Sequence, residues 1–182
     1  MPPARRIESA EIHAALEGMA DVIAGDHRET GKLGILGIAD GGIALSRRLA
    51  QLAGERLGRE LPIGVIDISF QRDDISTNPI PKASNPTSIP FDIEGATVIL
   101  ADDVLSTGRS LRAALNEIFD QGRPARVQAA ALFDRGGRIL PFDADYRGFR
   151  ESIPSELVVD VRLNEKNPEH DEIRVAEAAN QR

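Results

Sequence analysis

The chain has 182 residues, 41% of them hydrophobic and 28% charged, with a formal net charge of -7. That length suits one domain with a sizeable core, and the acidic balance argues against a protein whose main task is to hold a nucleic-acid backbone. Zero cysteines exclude disulfides, thiolate nucleophiles and Cys-based metal sites, and six Phe, one Tyr and no Trp leave no evident platform for stacking single-stranded bases.

Met1 to Arg6 reads as a short, loose basic arm, with no leader-like apolar segment after Met1. Ser9 suits a helix N-cap, and Ile12, Ala15, Leu16, Met19 and Ile23 recur at helical spacing as a packing stripe. His13, His27 and Arg28 lie off that stripe and are expected on a solvated face. Leu33 to Ala39 is apolar almost throughout, which fits a buried parallel strand. Asp40-Gly41-Gly42 is a turn, and Ile43, Leu45, Leu49 and Leu52 begin a second helix. Ile63 to Phe70 is a third apolar run and a further strand. Arg72, Asp73 and Asp74 follow it. From there to Pro90 the chain is rich in Pro, Ser, Thr and Asn, and too long for an ordinary connection. Residues of about 71–90 are therefore expected to form a flexible loop, either disordered or a lid over a site.

The most informative stretch is Val98 to Ser110, VILADDVLSTGRS. Four apolar residues precede Asp102 and Asp103; a small, hydroxyl-rich turn follows. Then Leu111, Ala114, Leu115 and Ile118 mark a helix, with Gly122 as its stop. Strand, acids, small loop and helix, in that order, place the loop at the carboxyl edge of a parallel sheet, where α/β proteins bind ligands. A helix start has unpaired N–H groups and partial positive charge, so it holds a phosphate. Gly108 permits close approach of the backbone, Ser106, Thr107 and Ser110 offer hydroxyls, and Arg109 adds charge or points to solvent. Ionised Asp102 and Asp103 accept hydrogen bonds only, which suits sugar hydroxyls or a hydrated Mg²⁺. A bare pair of Asp residues often just caps a turn; the complete arrangement describes a site for a ribose 5-phosphate.

Val127 to Phe133 is the next core strand, ending in Asp134-Arg135-Gly136-Gly137 on the same rim. Leu157-Val158-Val159 reads as a further strand, Glu165 to Pro168 as a turn, and Glu172 to Val175 as a last strand before a frayed tail. His170 lies on the turn and is not expected to act in catalysis. No run is long and apolar enough to cross a membrane, and the expected location is the cytoplasm. The fold class is α/β: a parallel twisted sheet flanked by helices, with a small hood.

The stretch from Val98 to Ser110 resembles the PRPP-binding signature of type I phosphoribosyltransferases. Ile66-Asp67-Ile68 with Arg72-Asp73-Asp74, Gly122-Arg123-Pro124, and Asp134-Arg135-Gly136 leading to Leu140-Pro141 and Ala144-Asp145-Tyr146 are similar to one branch of that family. Its members join uracil phosphoribosyl transfer to attenuation of pyrimidine operons. The likeness runs from about Ile7 to Val175. It implies one phosphoribosyltransferase domain over residues 1–182, with a hood formed by about 135–175. It implies that Asp102 and Asp103 hold the ribose of PRPP and, through it, Mg²⁺, and that Val104, Leu105, Ser106, Thr107, Gly108, Arg109 and Ser110 bind its 5-phosphate. Ala39, Asp40, Gly41 and Gly42 would form the pyrophosphate loop, with Arg72 joining on closure. Arg72 could equally pair with Asp73 or Asp74 on the surface. Arg135, Gly136, Leu157 and Val158 would line the base pocket.

The implied reaction converts PRPP and uracil to UMP and pyrophosphate in a homodimer or homotetramer. A UMP-sensing regulator that binds an mRNA leader, or an enzyme for another base such as a purine, are the rival readings. Two positions depart from the branch's pattern: Asp40 replaces basic and hydroxyl groups, and Gly137 stands where a His is usual. Asp40 would repel pyrophosphate unless Mg²⁺ lies between them, or it caps the helix.

Overall fold

The computed structural model describes residues 5–69 and 86–177. In chain order these form β1 (Arg5–Glu8), α1 (Ser9–Asp26), β2 (Leu33–Ile38), α2 (Gly42–Leu57), β3 (Ile63–Ile66), β4 (Thr97–Leu105), α3 (Arg109–Gln121), β5 (Arg126–Asp134), β6 (Tyr146–Arg150), β7 (Leu157–Arg162) and β8 (Glu172–Glu177). The larger sheet is parallel, with order β3-β2-β4-β5-β6; the smaller is antiparallel, with order β1-β8-β7.

The larger sheet is covered on both faces, and strand alternation sorts its side chains accordingly. Ile35, Ile99, Ala101, Ala130 and Leu132 point into a cluster with Ile12, Leu16, Leu45 and Leu49 of α1 and α2. Their neighbours Leu36, Val98, Leu100, Ala129 and Ala131 point the other way, against Leu111, Ala114 and Ile118 of α3. The aliphatic filling that the low aromatic content required is thus split into two layers, with the carboxyl ends of β2 and β4 adjacent between them.

Several expectations need correcting. Arg5 and Arg6 belong to no loose arm: they pair with Val175 and Arg174 of β8. The N-cap of α1 is Glu8, with no side-chain cap, because the helix starts directly from the strand. His27 is buried, not solvated. It is hydrogen-bonded to Tyr146 Oη at 2.9 Å and to Thr30 Oγ1 at 3.0 Å, and burial holds its pKa below the usual imidazole value. His13 is partly covered and meets the buried Asp171 at 3.2 Å, whereas Arg28 is exposed.

The small sheet draws on a wider span than residues 135–175, since β1 comes from the other end of the chain and β6, inside that span, joins the parallel sheet. Strand β3 ends at Ile66, four residues short of the expected limit. Arg72 and most of the 71–90 segment lie outside the described residues. Within the part that is described, Ser88 and Val65 exchange backbone hydrogen bonds of 2.8 and 2.9 Å. No helix among the described residues is long and apolar enough to cross a membrane.

Candidate functional site

Strand β4 continues through Asp102 and Asp103 to Leu105, so the acids lie inside the strand and not in the turn after it. The reason is the ladder: Asp102 is in register with Ala131, and Val104 with Phe133. Adjacent strand residues face opposite ways, which separates the two roles. Asp102 is only 8% exposed, and burial first, then the charge of Asp103, raises its pKa well above the carboxylate range. Asp103 is half-buried and accepts the Val104 N–H at 2.8 Å. Burial raises its pKa too, with a smaller push from the charge of Asp160 on β7.

The turn after β2 lies directly on this pair. A Cβ on Gly41 would sit 2.3 Å from Asp103 Cγ, and one on Gly42 would sit 2.0 Å from the Ala101 carbonyl oxygen. Gly42 therefore excludes any side chain, whereas one at Gly41 would have to displace the Asp103 carboxylate. Gly37, the last but one residue of β2, is also crowded: a Cβ there would lie 2.7 Å from the Gly42 carbonyl oxygen. The N-cap of α2 is Gly41, which has no side chain to cap it, and the Asp40 backbone carbonyl accepts Ile43 N–H at 3.3 Å. The Ala39–Asp40 peptide is cis.

On the other side of the acids, Ser106, Thr107 and Gly108 turn the chain into α3. Gly108 has φ +90° and is the N-cap, again without a side-chain cap. Arg109 N–H reaches Thr107 Oγ1 at 3.3 Å. That contact takes one N–H of the first turn of α3, whose start still carries the partial positive charge that draws an anion. Val104 and Leu105 are strand residues beneath this turn, and Leu105 is buried.

The segment after β5 wraps the same turn. Ile139 and Leu140 N–H both donate to the Thr107 carbonyl, at 3.2 and 3.1 Å, and Arg135 N–H donates to Leu105 O at 3.0 Å. Arg138 donates to Ser106 O at 2.7 Å and to Phe142 O at 2.9 Å, and pairs with buried Asp134 at 2.8 Å. Asp134 also accepts Gly136 N–H at 3.0 Å and pairs with Arg147 at 3.3 Å. Sequence reasoning singled out none of Asp134, Arg138 and Arg147 for a role of its own. The local signal was only an Arg at i+4 from an Asp, in a stretch with no periodic pattern.

Arg135 lies elsewhere: its guanidinium donates to the carbonyls of Pro154 and Leu157, at 2.9 and 2.8 Å. Leu157 and Val158 do not act as a pair. Leu157 packs in the core, while Val158 is 45% exposed on the opposite face of β7. That is the face of Asp160, whose charge is felt at Asp103. Gly136 and Gly137 have φ of +73° and +74°, and Gly137 lies next to Ser106. The chain therefore brings together Asp102, Asp103, Asp40, Gly41, Gly42, the Ser106–Ser110 turn and the Gly136–Gly137 turn. Among the described residues no group of three or more His, Cys, Asp or Glu gathers to hold a metal. The pair of carboxylates suits a hydrated Mg²⁺ that brings its other ligands with a phosphate-bearing substrate. An open groove of about 860 Å³ lies elsewhere, around Gly54, Gly58 and Leu61 past the end of α2.

Comparison with known proteins bears on this corner. A model of the phosphoribosyl transferase domain matches residues 8–166. The bifunctional protein PyrR of Deinococcus radiodurans is 42% identical over 164 residues, covering 90% of each chain. PyrR of Syntrophobacter fumaroxidans is 40% identical over 164 residues, 88% of this chain and 87% of that one. Among solved structures, a hypoxanthine phosphoribosyltransferase of Trypanosoma cruzi superposes with a TM-score of 0.68 at 20% identity, over 94% of this chain and 95% of that one. At that identity the likeness speaks for the fold alone.

Proposed function

Because this chain belongs to the phosphoribosyl transferase family and is PyrR-like within it, we propose that it transfers a phosphoribosyl group from PRPP to uracil, giving UMP and pyrophosphate. The observation that carries this reading is one corner of the fold. A buried and a half-buried carboxylate, a side-chain-free turn and an uncapped helix start meet at the carboxyl edge of the sheet.

The reaction breaks the C1–O bond of PRPP with oxocarbenium character, so developing positive charge must be met and the sugar held still. Asp103, the more open of the acids, would accept from the ribose hydroxyls. Asp102 lies beneath the ring in a fixed, water-poor position, where bound Mg²⁺ would favour its ionised form and so negative potential under the sugar. The Ser106–Ser110 turn and the start of α3 would take the 5-phosphate, so that binding energy remote from the anomeric carbon orients it. Gly41 and Gly42 would let the backbone come close to the pyrophosphate. Mg²⁺, held against Asp102 and Asp103 with PRPP, supplies charge neutralisation for the leaving group. Val158 and the Gly136–Gly137 turn face the place left for the base. Arg72 is proposed to join from the segment after β3. Uracil N1 would form the new bond to C1 as the bond to pyrophosphate breaks, its proton passing to the released pyrophosphate or to water.

The decisive assay incubates the protein with PRPP, Mg²⁺ and each nucleobase in turn and measures pyrophosphate. Release with uracil alone supports the reading; release with a purine alone replaces the substrate; none with any base defeats the enzyme. One observation favours a second reading, a UMP-sensing regulator of an mRNA leader with weak turnover: Asp40 stands in the turn after β2, the proposed pyrophosphate turn, where its charge would oppose that ligand without touching a nucleotide's phosphate. Binding of a pyrimidine-operon leader that strengthens with UMP and weakens with salt would support it.

A further inference from the structure

Resting on that reading of the site, we infer that Arg138 is a positioning residue for the phosphate turn. It couples the conformation of Ser106 to Ser110 to the segment that follows β5. Its guanidinium is used on every side. Nη1 donates to Ser106 O at 2.7 Å, Nε donates to Phe142 O at 2.9 Å, and Nη2 pairs with Asp134 at 2.8 Å. A planar fork meets three acceptors in these directions at once; a lysine ammonium cannot.

The contacts around it show what is being held. The Ser106 carbonyl taken by Arg138 and the Thr107 carbonyl taken by Ile139 and Leu140 N–H belong to consecutive residues. With both carbonyls turned outward to the wrapping segment, the N–H side of the turn is left toward the ligand corner. Leu140 and Phe142 also close against Gly108: a Cβ there would lie 3.3 Å from each. The left-handed Gly108 and the open first turn of α3 are therefore shaped from outside by residues 138–142. Asp134 is the fixed point, 2% exposed and tied also to Gly136 N–H in the neighbouring turn. Arg138 thus joins the turn expected to hold the phosphate to the one expected to meet the base, and touches neither ligand.

A merely structural arginine is distinguished by a control on the same carboxylate. Arg147 pairs with Asp134 and Asp143, and no hydrogen bond or ion pair to the phosphate turn is found for it among the described residues. Ribose 5-phosphate binding is measured by calorimetry for the native protein, R138M and R147M, with thermal unfolding of each and, where turnover is found, KM for PRPP against kcat. R138M should weaken ribose 5-phosphate binding about tenfold, the loss of one well-placed charged contact, and raise KM for PRPP by a similar factor. R147M should lower Tm and leave binding within about twofold. Should R138M not fold, R138K keeps a charge opposite Asp134 and must still bind several-fold more weakly. Equal loss in R138M and R147M, or full binding in R138M or R138K, overturns the inference alone. A native protein that does not bind ribose 5-phosphate overturns the proposed site and this inference with it.

Discussion

Two strand–turn–helix units lie side by side at one sheet edge and solve the same local problem differently. After β4, the turn of Ser106, Thr107 and Gly108 is hydroxyl-rich, has one left-handed glycine and is braced from outside by Arg138, Leu140 and Phe142. After β2, the turn of Asp40, Gly41 and Gly42 has no hydroxyl, carries an acid, and is pressed inward onto Asp103 and the Ala101 carbonyl. One turn is shaped by what wraps it; the other by what it lies on. Uncapped helix starts are common to both, so the difference in what they can bind comes from side-chain charge and from the direction of the close contact.

The comparison breaks first at the acids both turns share. Asp102→Asn with Asp103→Asn should lower pyrophosphate release by about a thousandfold with an unchanged circular-dichroism spectrum. Full activity in that variant would mean that the sugar sits elsewhere. Next come the glycines. Gly42→Ala puts a methyl 2.0 Å from a backbone oxygen, and should destabilise by about 3 kcal/mol or shift the turn bodily. Gly108→Ala meets side-chain atoms at 3.3 Å but is forced to φ +90°, for about 1–2 kcal/mol. Denaturant unfolding ranks the two, and a reversed order would contradict the inward and outward distinction drawn above.

A third test concerns pH. The raised pKa of Asp102, due to burial first and Asp103 second, means that the folded carboxyl stays protonated where the unfolded chain ionises. This contribution to stability is complete below the unfolded value of about 3.9 and is lost as pH rises through the folded value. Asp102→Asn should therefore gain in Tm over the native protein as pH climbs from about 4 toward neutrality, and a gap that narrows instead would show Asp102 to be ionised and paired. The smallest effect is expected at the β2 turn: Asp40→Thr should lower KM for PRPP about threefold by removing one partly screened charge. No change would clear Asp40 of opposing the leaving group.

Much of the candidate site was legible because its parts are close in sequence. Apolar run, acids, hydroxyl turn and helix occupy consecutive positions from Val98 to Ile118, and each obeys a local rule. The same locality explains the errors. The apolar run ends at Ala101 and the acids follow it, yet registry with β5 carries β4 on through them to Leu105. Leu157 and Val158 were grouped as neighbours in sequence, although a strand sends them to opposite faces. Strand β6, Tyr-Arg-Gly-Phe-Arg, has no apolar period to announce it. With it went the reason for burying His27, whose partner is Tyr146 across 119 positions.

The amino-acid sequence alone determined the alternation of strands and helices, the sheet-edge location of the site and the chemistry that consecutive residues can offer, since periodicity and helix-start physics act over a few residues. Tertiary structure decided which glycines lie against neighbouring backbone, which acid is buried, which face of β7 carries Val158 and Asp160, and which arginine braces the Ser106–Gly108 turn. Each of those depends on an atom supplied by a distant segment, and no local pattern encodes that distance.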